Sequence, residues 1–155
     1  MASHLRFRNV DADPAGPVED WPDEALEIAL DRGSLSDWRR VAASIRADPW
    51  GRVARSVERI AARGEHYGID PLMLRVVARA RAETDAAARA RYAAVVREAR
   101  ERTGLSVRAF ARLAGTSPSR LSSYETGGTA PTTEVLGRIE QIAERHARPR
   151  GTEAS

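Results

Sequence analysis

Residues 104–131 read G-L-S-V-R-A-F-A-R-L-A-G-T-S-P-S-R-L-S-S-Y-E-T-G-G-T-A-P, and this stretch decides the fold. Leu105, Phe110, Ala111, Leu113, Ala114, Leu121 and Tyr124 recur at helical spacing, as the inner faces of two short packed helices require. Gly115 and Thr116 supply the turn between them, and Ser117 followed by Pro118 starts the second helix. The outward face of that second helix carries Ser117, Ser119, Arg120, Ser122 and Ser123. Small hydrogen-bonding groups around one guanidinium suit a surface that lies against phosphates and base edges.

The order of these residues resembles the helix-turn-helix of the Xre/Cro and phage-repressor family. The matching positions are Arg100, the Leu105–Ser106 opening, F-A-x-x-A-G-T-S at 110–117, L-S-x-Y-E at 121–125, Gly127 and Pro131 with the helix after it. The likeness covers residues 92–147, about a third of the chain, and runs without a gap. It implies an all-α, lambda-repressor-like domain and sequence-specific binding of double-stranded DNA. It further implies that Arg100 and Glu125 form a partly buried ion pair between the first helix and the end of the recognition helix. Ser117, Pro118, Ser119, Arg120 and Ser123 match the positions that face the major groove, and Ser122 lies beside them. Arg120 is the candidate for a bidentate contact to guanine O6 and N7, with a phosphate contact as the equal alternative. Ser117 also reads as the helix cap.

Two positions depart from the family pattern. The second helix usually opens with a glutamine that touches phosphate; Val107 stands there, and Arg108 beside it is the candidate to take over the charge. The family's usual fifth helix has no counterpart after His146, and the N-terminal helices are expected to cover the surface it would bury.

Composition sets the outer limits. A 155-residue chain accommodates one domain or two small ones. With no cysteine, disulfides, thiolate metal sites and cysteine nucleophiles are all excluded. No apolar run approaches the roughly 20 residues that span a bilayer, and the N-terminus lacks a signal-peptide core, so a cytoplasmic protein is expected. All 25 basic residues are arginine. Residues 1–90 carry a net charge of −1 and residues 91–155 a net of +4, so the positive excess falls on the segment expected to meet phosphate.

Outward from the motif, the N-terminal half is helical. Residues 1–20, with Pro14, Gly16 and Pro17, read as a flexible arm. A helical N-terminal domain over 21–82 follows, then the helix-turn-helix domain over 83–147 and a tail at 148–155. Pro22 opens a first helix that Gly33 stops; Ser36 is the expected cap of the second; Pro49 opens the third. From Leu72 to Thr103 there is neither Gly nor Pro, which predicts one long helix, or two broken near Thr84–Asp85. Trp21, Trp38 and Trp50 are expected in the core.

Chemistry of other kinds has few candidates in the chain. His4, His66 and His146 stand in no metal-ligand spacing, and neither a metal nor a cofactor is expected. There is no G-x-S-x-G turn, P-loop or dinucleotide fingerprint, so no enzyme is expected. The reading is a transcriptional regulator that occupies an operator as a homodimer built by the N-terminal half. The alternative is an antitoxin-like or adaptor protein whose N-terminal helices bind a protein partner.

Overall fold

The computed structural model describes residues 5–147, in which every regular element is helical. The chain divides into two compact units, Met1–Thr84 and Asp85–Ser155.

In the first unit a short 3-10 turn at Val18–Asp20 leads into α1 (Asp23–Arg32), α2 (Leu35–Ala47) and α3 (Arg52–Ala62). α4 (Ile69–Thr103) contributes its N-terminal part. Asp23 and Glu24 lie in the first turn of α1 and Arg32 in its last, matching the helix dipole. Gly33 ends α1 with its N–H on the Ala29 carbonyl. The cap of α2 is Ser34, not the expected Ser36. The Ser34 hydroxyl accepts from the Asp37 N–H, and the Asp37 carboxylate accepts from the Ser34 N–H at 2.9 Å, a complete capping box. The register follows from the acceptor three residues on, which only Ser34 has.

Leu26, Leu30, Val41, Ile45, Val53, Val57 and Ile60 close into one core with Ile69, Met73 and Val77 of α4. The apolar stripes at Leu26–Leu30 and Val53–Ile60 are therefore consumed inside the unit rather than left free to pair with a second copy. The large apolar side chains that remain exposed here are Leu35, Trp50, Tyr67, Leu72 and Leu74.

The arm expected over residues 1–20 is docked at several of its described residues. Leu5 and Val18 are buried, and the Phe7 ring meets Trp21 edge-on at 5.1 Å. Arg40 stacks 4.8 Å from the Trp21 ring centre and donates to the Pro14 carbonyl at 2.7 Å and to the Gly16 carbonyl at 2.5 Å. The Trp21 indole donates to the Asp13 carbonyl at 2.9 Å. A Pro/Gly segment without periodicity is thus held by one arginine some two dozen residues later, which no local pattern discloses. Residues 1–4 and the expected tail at 148–155 lie outside the described residues.

Of the three tryptophans, Trp21 alone is fully buried. Trp38 is half-buried and donates its indole N–H to the Ala29 carbonyl at the end of α1. Trp50 is 45% exposed, with the Arg81 guanidinium 5.9 Å from its ring. Arg81 itself forks onto both oxygens of Glu58 and donates to the Pro49 carbonyl, joining α4 to α3 and its entry.

α4 is one helix without a break at Thr84–Asp85. The Thr84 hydroxyl donates back to the Ala80 carbonyl one turn earlier, and the helix runs on through it. In the second unit the C-terminal part of α4 packs with α5 (Val107–Ala114), α6 (Pro118–Glu125) and α7 (Thr133–Ala147). Their core is Val96, Ala99, Phe110, Ala111, Ala114, Leu121, Tyr124, Ile139, Ile142 and Ala143. Leu113, expected on an inner face, is 53% exposed, and Tyr92 and Val95 are exposed too. On an eight-residue helix the wall formed by Phe110, Ala111 and Ala114 leaves Leu113 past the edge of the buried arc. Among the described residues, no helix is long and apolar enough to cross a membrane.

Candidate nucleic-acid interface

The site is the α5–turn–α6 unit, and its local chemistry explains its shape. Ser106 caps α5 by accepting from the Ala109 N–H at 3.2 Å. Gly115 ends α5 at φ 69°, ψ 34°, a left-handed conformation that a side chain disfavours. The Thr116 N–H then reaches back to the Ala111 carbonyl at 2.9 Å, closing the helix end by the usual glycine-assisted pattern. Ser117 caps α6 by accepting from the Arg120 N–H at 3.1 Å, and Pro118 occupies the first turn, where its missing N–H costs nothing. Two caps and one glycine thus fix the angle between α5 and α6 within a few residues.

Leu121 and Tyr124 anchor α6 in the core. That leaves Ser117, Pro118, Ser119, Arg120 and Ser122 exposed on its outer side. Ser123 is half-buried, and its hydroxyl donates to Thr129 at 3.0 Å, so it supports the loop after α6. Arg108 is exposed on the first turn of α5. The guanidinium groups of Arg108 and Arg120 have no hydrogen-bond or ion-pair partner among the described residues. Arg112, which the sequence reading passed over, is exposed on α5 and equally unpaired there. Its signal was available in the i, i+4 spacing from Arg108.

The structure brings Arg100 and Glu125 together. The Arg100 Nε donates to Glu125 Oε1 at 2.5 Å, with the side chains 26% and 12% exposed. Arg97 donates to the Glu125 backbone carbonyl. The end of α6 is therefore tied to α4 at two points, one through the carboxylate and one through the main chain. Such ties set the orientation of α6 against its supporting helix without consuming any group on its outer face.

His66 is buried, and it falls into one group with Glu27 and Glu65, a donor atom from each lying within 4.8 Å of the others. The group joins α1 to the α3–α4 connection, so residues 38 and 39 positions apart make it. No spacing in the sequence shows it.

Two short helices held by a left-handed glycine, with an unpaired basic outer face, define a class: a DNA-binding helix-turn-helix domain. Residues 96–144 match the model of the helix-turn-helix family, so this stretch is similar to Xre/lambda-repressor-like domains. No curated protein and no solved structure matches the chain. The matched domain is a DNA-binding regulatory one and not an enzymatic one.

Proposed function

We propose that this protein is a transcriptional regulator that occupies an operator, reading the major groove with α6. The observation that carries the reading is the outer face of that helix: an unpaired Arg120 among Ser117, Ser119 and Ser122. A guanidinium with no internal partner keeps its five donors for guanine or phosphate. Arg108 and Arg112 on α5 supply further unpaired charge for the adjacent phosphates, replacing the polar contact that Val107 cannot make.

The working unit is a symmetric dimer. One recognition helix reads only a few base pairs, and two half-sites about 34–36 Å apart supply the missing specificity. Exposed Leu35, Tyr67, Leu72 and Leu74 offer the N-terminal unit apolar surface for self-association, in place of the stripes its core uses.

The test is fluorescence anisotropy and footprinting with duplexes from the DNA upstream of the protein's own gene, alongside sedimentation of the full chain. A dimer that protects a palindromic site, with steep salt dependence, is the expected result. Equal affinity for a scrambled duplex refutes operator recognition. A monomer protecting one half-site at micromolar concentration refutes the dimer.

A further inference from the structure

We propose that Glu27, Glu65 and His66 form a site for a divalent first-row transition metal, with zinc(II) the ion that the donors suit best. The group lies outside the DNA-binding unit. Glu27 is on α1, while Glu65 and His66 stand in the connection between α3 and α4. One donor atom from each residue lies within 4.8 Å of the other two. Zinc bonds of about 2.0–2.2 Å in a tetrahedral site place donors about 3.4 Å apart, so donors separated by up to 4.8 Å need to close by up to about 1.4 Å. Both carboxylates have room to do so, with side chains 36% and 59% exposed.

His66 is the part that distinguishes this group from an ordinary acidic patch. Its ring is buried, 7% exposed, and its Nδ1 lies 3.2 Å from Oδ1 of Asp70, itself only 4% exposed. The other Asp70 oxygen accepts the His66 backbone N–H at 2.9 Å. In the neutral ring, a proton on Nδ1 satisfies this contact and leaves the lone pair on Nε2. A buried carboxylate behind a histidine is the arrangement that fixes tautomer and ring direction in metal sites and raises ligand basicity. Zinc accepts imidazole nitrogen and carboxylate oxygen together, and imidazole favours a first-row transition metal over magnesium or calcium.

The two carboxylates already share a cation, and Arg6, Arg8 and Arg32 line the same cavity. Arg63 binds Glu27 at 2.7 Å and lies 3.9 Å from Glu65, so one cation now bridges the two carboxylates. Its side chain is 47% exposed and can turn to solvent when a metal takes its place. Glu27, Glu65 and His66 all line an open cavity of about 910 Å³, so the group is reachable from solvent.

The experiment is calorimetric titration of the tag-free, chelator-treated full chain with zinc chloride. It is repeated on Glu65→Gln, Glu27→Gln and Glu24→Gln, and circular dichroism confirms that each variant is folded. Glu24 lines the same cavity but lies outside the group, so its variant is the control. The expected result is one zinc per chain in the parent and the control, and affinity at least about tenfold weaker in the other two. Zinc should also raise the thermal midpoint of the parent and not that of Glu65→Gln. Absence of stoichiometric binding by the parent overturns the proposal. So does zinc binding as tight as the parent's in either Glu65→Gln or Glu27→Gln.

Discussion

Replacing Glu125 with alanine strands Arg100 at the join of α4 and α6, and the structure sets the size of the effect. Breaking a fully buried ion pair costs about 3–5 kcal/mol, whereas an exposed pair is worth about 0.2–1 kcal/mol. Arg100 and Glu125 are 26% and 12% exposed, nearer the buried limit, yet the guanidinium still reaches water. The expected loss for Glu125→Ala is therefore about 2–3 kcal/mol. Arg97 does not compensate, because it holds the Glu125 main-chain carbonyl and not the carboxylate. Arg100→Ala should cost a similar amount, since it strands the more buried partner. The double variant should cost less than the sum by about 1–2 kcal/mol. Urea unfolding followed by far-UV circular dichroism reads the loss. Tryptophan fluorescence is the internal control, because Trp21, Trp38 and Trp50 all lie in the N-terminal unit. Independent sites add within about 0.3–0.5 kcal/mol, so a coupling below that refutes the argument that the pair holds α6 in place.

Other perturbations test the remaining parts. Arg120→Ala should weaken operator binding by about 1–3 kcal/mol in an anisotropy titration without moving the urea midpoint, and unchanged affinity removes Arg120 from the interface. Gly115→Ala should destabilise the C-terminal unit by about 1–2 kcal/mol, since the left-handed φ of 69° is costly for a side chain. The new methyl would also displace the Arg138 guanidinium, 2.2 Å from where it would sit; an unaltered urea midpoint refutes this. Acid sensitivity should have a component in the N-terminal unit. The Ser44 hydroxyl beside Glu19, and the Ser56 hydroxyl with Arg59 beside Asp23, hold both carboxyls below their ordinary values. Groups lowered on folding stabilise above the ordinary carboxylate range and lose that contribution as pH falls below about 4. Thermal midpoints measured from neutral to acid pH should therefore fall less steeply in Ser44→Ala than in the parent, and identical slopes contradict the assignment.

The two halves of the chain were legible to different degrees, for physical reasons. The sequence by itself determined the α5–turn–α6 unit, because everything that shapes it is local. Ser106, Gly115, Ser117 and Pro118 act on backbone groups within a few residues of themselves. Phe110, Leu121 and Tyr124 announce their burial by period. The absence of Gly and Pro from Leu72 to Thr103 left one long helix or two as readings, and the structure has one, from Ile69 to Thr103. Only the tertiary structure decided the rest. It spread the three tryptophans from core to surface. It docked residues 5–20 through Arg40 and gathered Glu27 to Glu65 and His66. Each of these depends on side chains brought together from distant positions. Helical periodicity fixes which way a residue faces along its own helix; it does not say which distant group it meets there.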